Sequence, residues 1–171
     1  MEQFLSYTFI GLGNGAGISV LGGKLRISDS AVVRNFTNGA GGGLMIANNS
    51  RDPAVVTITR SEIAENLALG SGGGIFSSNS TLTIVESTIR ANRSMGAGGG
   101  GGIMNMNTGT RDFTPMALLQ VLRSTIADNS AGDPDAQPAL IGASVGGGIF
   151  NSSGRLELEN STVTGNRTYG L

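Results

Sequence analysis

The stretch GSGGGIFSSNSTLTIVESTIRAN, residues 70–92, has too many glycines for a helix and is too regular for a loop. Its second half follows the pattern apolar-x-apolar-x-x-Ser-x-apolar-x-x-Asn. That eleven-residue pattern occurs five times without a gap: LRISDSAVVRN (25–35), VTITRSEIAEN (56–66), LTIVESTIRAN (82–92), LQVLRSTIADN (119–129) and LELENSTVTGN (156–166). Serine and asparagine in fixed columns identify a repeat protein.

A glycine-rich segment precedes every copy of the pattern. These segments are GAGI (15–18), GGGL (41–44) and GGGI (72–75, 100–103 and 146–149). Within the copies, apolar residues alternate with a period of two, as at Leu82 and Ile84, which is typical of strands and not of helices. We therefore predict three short strands per repeat: Gly-Gly-Gly-Ile, apolar-x-apolar, and Ser-x-apolar.

Three strands per repeat, stacked repeat on repeat, predict an all-β fold, a single-stranded parallel β-helix of about five three-sided coils. Like residues should form vertical interior columns about 4.8 Å apart. The first predicted column is Ile18, Leu44, Ile75, Ile103 and Ile149, and the second is Leu25, Val56, Leu82, Leu119 and Leu156.

The polar columns have roles in this arrangement. Asparagine at a corner tolerates left-handed backbone, and its amide can bond the next coil. This structural ladder comprises Asn35, Asn66, Asn92, Asn129 and Asn166. The inward serines need hydrogen-bond partners within their own column. An outward column alternates in charge and should hold the register through weak ion pairs: Asp29, Arg60, Glu86, Arg123 and Asn160.

GGGI followed by apolar-x-x-Asn resembles the right-handed parallel β-helix proteins of the pectin-lyase-like superfamily. In particular, the chain is similar to bacterial surface repeats of the polymorphic outer-membrane protein type. The likeness covers about residues 15–171, with Gly-Gly-Gly-Ile in place of Gly-Gly-Ala-Ile, and Ile or Val in place of Phe before the asparagine. It implies right-handed coiling and an extracellular or cell-surface location, with any export signal outside this chain.

Residues 1–171 are expected to form one β-helix domain. Residues 1–14 should be a degenerate partial coil, and insertions are expected at 45–55, 104–118 and 130–145. Because solenoids need polar end caps and none is evident, we expect a fragment of a longer array or end-to-end self-association.

The glycine strand offers the candidate binding surface. If its isoleucines point inward, the neighbouring glycines form a smooth outer strip beside an outward stripe: Ser19, Met45, Phe76, Met104 and Phe150. Such a stripe would suit an extended glycan or peptide; alternatively, the inserted loops fold over it and bury it. Two insertions contain Arg-Asp pairs, Arg51–Asp52 and Arg111–Asp112, which form either an ionic grip on a ligand or ion pairs within their own loops.

Composition excludes several classes of function. The chain has no Cys and no His, which removes thiolate chemistry, His-ligated metals and His bases. A net charge of −1 without basic runs argues against nucleic acid and membrane headgroups. We predict no cofactor, no metal site and no membrane insertion, and we interpret GDPD (132–135) as a turn with too few carboxylates for calcium.

We predict a non-enzymatic extracellular or cell-surface module of a bacterial β-helix, serving as a stalk, an adhesin or a surface that binds glycan or protein. The alternative is a fragment or relative of a carbohydrate-active lyase or hydrolase. The nearest carboxylates for such chemistry are Glu157 and Glu159 beside Arg155. They lie on a different strand from the stripe, and we interpret them as a solvated strand face.

Overall fold

The computed structural model describes residues 13–48, 52–96, 98–108, 117–134 and 144–169. Within these ranges the regular structure is entirely β-strand, arranged in four parallel sheets of five strands. Each of the five coils contributes one strand to every sheet, so the molecule is a parallel β-helix. The predicted fold class is confirmed.

The sheets are named A to D in the order in which the chain enters them. Sheet A consists of β1 (Ile18–Leu21), β5 (Leu44–Ala47), β9 (Ile75–Ser78), β13 (Ile103–Met106) and β17 (Ile149–Ser152). Sheet B consists of β2 (Lys24–Ser28), β6 (Val55–Thr59), β10 (Thr81–Val85), β14 (Leu118–Leu122) and β18 (Arg155–Glu159). Sheet C consists of β3 (Ala31–Val33), β7 (Glu62–Ala64), β11 (Thr88–Arg90), β15 (Thr125–Ala127) and β19 (Thr162–Thr164). Sheet D consists of β4 (Phe36–Thr37), β8 (Leu67–Ala68), β12 (Arg93–Ser94), β16 (Ser130–Ala131) and β20 (Arg167–Thr168).

The prediction of three strands per repeat was incomplete. The Gly-Gly-Gly-Ile, apolar-x-apolar and Ser-x-apolar segments lie in sheets A, B and C, but a two-residue strand after each corner asparagine adds sheet D. Two residues are too few to display alternation. The fourth strand is therefore evident only from its pairing with neighbouring coils.

The predicted register is confirmed in both interior columns. Ile75 pairs with Leu44 on one side and Ile103 on the other, and Leu82 pairs with Val56 and Leu119. The inward apolar side chains of the middle coils are fully buried, including Ile84 and Ile89 at 0% exposure. The fifth coil has a neighbouring coil on one side only in the described structure, and the corresponding Leu158 and Val163 are 50% and 47% exposed.

Two corners of every coil are built in the same way. At the B-to-C corner a residue with positive φ precedes the serine, as Glu86 (φ 49°) precedes Ser87. At the C-to-D corner one precedes the asparagine, as Ala91 (φ 51°) precedes Asn92. The prediction that asparagine itself adopts the left-handed backbone was wrong. The residue before the asparagine makes the turn instead, and the asparagine side chain points into the coil, where Asn66, Asn92 and Asn129 are buried.

The asparagine ladder is continuous through the molecule. Asn66 Nδ2 donates to Asn92 Oδ1 over 2.9 Å, and Asn92 Nδ2 donates to Asn129 Oδ1 over 2.9 Å. The backbone N–H of Asn66 also donates to Asn92 Oδ1 (3.0 Å), and Asn92 Nδ2 also reaches Ile63 O in the coil below (2.9 Å). The predicted amide bonding between coils is confirmed.

The glycine column was predicted to form a smooth outer strip, and this was wrong. A Cβ on Gly74 would lie 2.9 Å from Asn92 Cγ and 2.6 Å from Gly102 O. Gly102 has the same relation to Asn129, whose Cγ would lie 3.0 Å away. The column therefore packs against the ladder inside the coil, and glycine is required there because a side chain would displace the amides.

The predicted insertions are shorter than the sequence suggested. Residues 45–47 complete β5 and Val55 begins β6, which leaves 48–54 as the connection. Residues 104–106 likewise belong to β13 and Ser130–Ala131 form β16. Of the predicted N-terminal partial coil, only Gly13 and Asn14 lie within the described residues.

Candidate functional site

The outer face of sheet A carries the predicted stripe in register. Met45 pairs with Phe76, Phe76 with Met104, and Met104 with Phe150, while Ser19 precedes them in the first coil. Met45, Phe76 and Phe150 are half-buried, whereas Met104 is 5% exposed. Three of the four apolar members of this file keep accessible surface. The alternative, burial beneath the inserted loops, concerns segments that lie largely outside the described residues and stays a prediction.

A second outward column lies beside the first, two residues further along each strand. Its members are Leu21, Ala47, Ser78, Met106 and Ser152. Leu21 is 64% exposed, and the other members are half-buried. Together the two columns make sheet A an apolar outer face, rich in methionine, which adapts its shape to what it contacts.

From the second coil to the fifth, two kinds of coil alternate along this face. The second and fourth coils present Met45 and Met104 and leave sheet A through the longer connections 48–54 and 107–117. The third and fifth coils present Phe76 and Phe150 and leave through two-residue turns. Because adjacent strands lie about 4.8 Å apart, equivalent features recur at about 9.6 Å.

A row of asparagines borders the apolar face where three strands of sheet A end: β5, β9 and β13. Asn48, Asn79 and Asn107 occupy equivalent positions, since their backbone N–H groups bond the coil above at Ser78 O, Met106 O and Ser152 O. Sequence reasoning missed them. A signal was nevertheless present, because an asparagine follows the first strand residue (Leu44, Ile75 or Ile103) by four positions in three successive coils.

Two of these asparagines brace the connections. Asn79 Nδ2 donates to Thr108 Oγ1 (2.6 Å), and the Thr108 backbone N–H returns a bond to Asn79 Oδ1 (2.8 Å). The Ala54 N–H donates to Asn48 Oδ1 over 2.6 Å and closes the 48–54 connection. The border of the face is therefore fixed by side-chain hydrogen bonds and presents amide groups beside the apolar file.

Most of the predicted Arg-Asp grip lies outside the described residues. Arg51, Arg111 and Asp112 are not among the described residues, so the ionic grip and the alternative ion pairs within the loops both stay predictions. Asp52 is described and exposed, and its Oδ2 would lie 3.6 Å from a Cβ built on Gly23. It therefore lies next to the A-to-B corner of the first coil.

An open cleft of about 700 Å³ lies on a different part of the surface, at the B-to-C corner. Its lining residues are Asp29, Ser30, Ala31, Arg60, Ser61, Glu62, Glu86 and Thr88. Arg60 forms two bonds to Asp29, of 2.7 and 2.6 Å, and Arg123 bonds Glu86 at 3.1 Å. The predicted charge column thus pairs in twos, and the charges of the cleft are satisfied by neighbouring coils.

The carboxylates considered for sugar cleavage are engaged as surface groups. Gln120 Nε2 donates to Glu157 Oε2 over 2.7 Å, and Arg155 forms an ion pair with the same side chain. These contacts, the hydrogen bond from Gln120 first, lower the pKa of Glu157 below its usual 4.5. A general acid working near neutral pH needs a raised pKa. Glu157 is therefore unsuited to protonating a leaving group.

Within the described ranges, no group of three or more His, Cys, Asp or Glu side chains is placed to hold a metal ion. The same part of the chain contains no helix long and apolar enough to cross a membrane. The chain matches no family model, and comparison with curated proteins and with solved structures gives no match. The site must therefore be interpreted from its own geometry.

Proposed function

We propose that this chain is a non-enzymatic β-helix module, located outside the cell or on its surface, that binds an extended glycan along the outer face of sheet A. The observation that carries the proposal is the in-register file of sheet A, in which Met45, Phe76 and Phe150 keep accessible surface beside a border of amide groups. Apolar surface beside a few fixed polar groups is typical of ligand sites.

The separation of the two phenylalanines favours a glycan over a peptide. A peptide lying along the helix axis as a strand would place same-face side chains about 6.8 Å apart. The rings of Phe76 and Phe150 lie two coils apart, about 9.6 Å, close to the length of a disaccharide unit in an extended glycan. Each phenyl ring can then pack against the apolar face of a sugar while amides meet its hydroxyls.

We further propose that the coils are right-handed and that the chain is a relative of the pectin-lyase-like superfamily, of the bacterial surface-repeat type. The repeated Gly-Gly-Gly-Ile and apolar-x-x-Asn segments support this relationship, and so does their placement in a parallel β-helix. A role as adhesin or stalk is consistent with an outward apolar column on sheet A and with coils that are joined by asparagine hydrogen bonds.

The test is a glycan array that also carries extended peptides, probed with the wild type and with Phe76→Ala/Phe150→Ala. Losing burial of about 1.5 kcal/mol per ring should lower affinity for the bound glycan at least tenfold. The matched control is Thr88→Ala/Thr125→Ala, two outward residues on sheet C that should leave binding unchanged.

Equal binding by the wild type and the phenylalanine double variant would show that the file is not the site. Binding of peptides alone would show that the ligand class is wrong even though the surface is right. Loss of binding in the threonine control would show that the ligand contacts another face.

A further inference from the structure

The inner face of β13 carries Asn105, which is 0% exposed. Its column runs through sheet A as Val20, Ile46, Ser77, Asn105 and Asn151. One interior column therefore changes from aliphatic to polar between the second and third coils. Buried polar groups need hydrogen-bond partners, so each member of the polar part has to be accounted for.

The upper part of this column is a second, short asparagine ladder. Asn105 Nδ2 donates to Asn151 Oδ1 over 2.7 Å, and Asn151 Nδ2 donates to Gly154 O over 2.7 Å. The corner ladder shows the same step, in which the amide nitrogen of one coil meets the amide oxygen of the next. In the corner ladder every asparagine oxygen from the second coil to the fifth accepts from the coil below, as Asn92 Oδ1 accepts from Asn66 Nδ2.

Asn105 Oδ1 lacks that partner from below. The residue beneath it is Ser77, whose side chain is shorter than asparagine, and Asn105 Oδ1 is buried with no hydrogen-bond partner among the described residues. Ser77 therefore does not continue the amide ladder downward, and Asn105 Oδ1 needs a bridging group to be satisfied.

A matching donor lies in the coil below. The hydroxyl oxygens of Ser77 and Ser80 are 2.8 Å apart, and the two residues are 0% and 1% exposed. Two hydroxyls carry two protons, and only one of them lies between the two oxygens. One O–H of the pair therefore remains free to donate elsewhere. Both serines lie in the third coil, directly beneath the coil that contains the unpaired Asn105 Oδ1.

We propose that one buried water molecule is bound between the third and fourth coils, accepting from the Ser77–Ser80 hydroxyl pair and donating to Asn105 Oδ1. The named side chains contain no carboxylate, so the site suits a neutral hydrogen-bonding ligand and not a divalent cation. The water completes a second ladder on the inner side of the strand that carries Met104. The proposal does not depend on glycan binding.

High-resolution crystallography of the wild type tests the site directly. We expect density within hydrogen-bond distance of Asn105 Oδ1 and of Ser77 or Ser80 Oγ. In Ser77→Asn the new amide should replace the water and donate to Asn105 Oδ1, giving a folded protein without that density. An unpaired Asn105 with no density nearby would overturn the proposal, and so would a direct bond from either serine to Asn105.

Nuclear magnetic resonance in solution supplies a test that does not depend on the variant. The side-chain amide protons of Asn105 should show magnetisation transfer from long-lived water. Those of Asn92 should show none, because Asn92 Nδ2 bonds Ile63 O and Asn129 Oδ1 and its oxygen is also occupied. Equal transfer at both residues, or none at Asn105, would contradict a bound water.

Discussion

The serine corner and the asparagine corner look alike from the backbone but connect the coils differently. At both, a residue in left-handed conformation precedes a side chain that accepts from the backbone of the coil below. The Ser87 hydroxyl then returns to Val85 O in its own coil (2.7 Å), whereas the Asn92 amide bonds the coils on both sides. Equivalent turns can thus contribute unequally to the cohesion of a stack.

The largest effect is expected from Asn92→Ala. The change removes an acceptor from Asn66 and donors to Ile63 O and Asn129 Oδ1, all in a residue that is 0% exposed. Buried groups left unpaired cost about 1–3 kcal/mol each, so we expect a loss of about 3–4 kcal/mol in the free energy of unfolding. Urea unfolding measures it.

Asn35→Ala is the matched control for the ladder. Asn35 is half-buried and donates to Asn66 Oδ1 and Val33 O, so its truncation should cost about 1–2 kcal/mol. Equal losses at the two positions would show that the ladder does not act through its buried middle.

Gly74→Ala tests the glycine column that faces the ladder. Its Cβ would approach Gly102 O to 2.6 Å and Asn92 Cγ to 2.9 Å, and overpacking of this kind costs about 1–3 kcal/mol. The control is Gly23→Ala, where the nearest atom is at 3.6 Å but φ is +78°, so it carries only the backbone penalty of about 1 kcal/mol. If Gly23→Ala proves the more damaging in urea unfolding, close packing is not what requires glycine at position 74.

Ser87 and Ser94 are both buried, but only the Ser87 hydroxyl takes part in a ladder, so the two serines can be compared directly. Ser87→Ala should cost about 1–2 kcal/mol because Ser61 N–H loses its acceptor. Ser94 lies between Ala68 and Ala131 in its column, and its buried Oγ has no partner in the described part of the chain. Ser94→Ala should be neutral or raise the unfolding midpoint, and a loss equal to that of Ser87→Ala would refute this distinction.

The smallest effect is expected from removing a charge on the outer surface of either corner, because the ion pairs there are exposed to solvent. Hydrogen bonds from Arg60 and Arg34 lower the pKa of Asp29 and Glu65 below their usual 3.8 and 4.5. A lowered folded pKa stabilises the protein above the unfolded value, and this contribution is lost as pH falls below 4.5 and 3.8 through the folded values.

Asp29→Asn should therefore reduce the acid-induced fall of the unfolding midpoint slightly, and high salt should have the same effect. A fall with acid that is unchanged in the variant would assign the pH dependence to other carboxylates. A large change would mean that the exterior pairs, and not the interior ladders, join the coils.

The stripe illustrates how far sequence patterns reach. Met45, Phe76, Met104 and Phe150 share a column because each follows the same inward residue, and this was predictable from the alternation of a strand. The asparagine border was readable from its spacing but was missed. The near-complete burial of Met104 was not readable, because exposure depends on what the neighbouring coils place around a side chain.

The sequence by itself determined the stacking register, since like residues recur in fixed columns and a shift of one residue would turn each apolar column outward. Only the tertiary structure decided the fourth strand, the direction of the glycine column and which residue of each corner is left-handed. Two-residue strands carry no periodicity, and a glycine has no side chain to indicate a face. Their placement follows from contacts between coils, which no local segment contains.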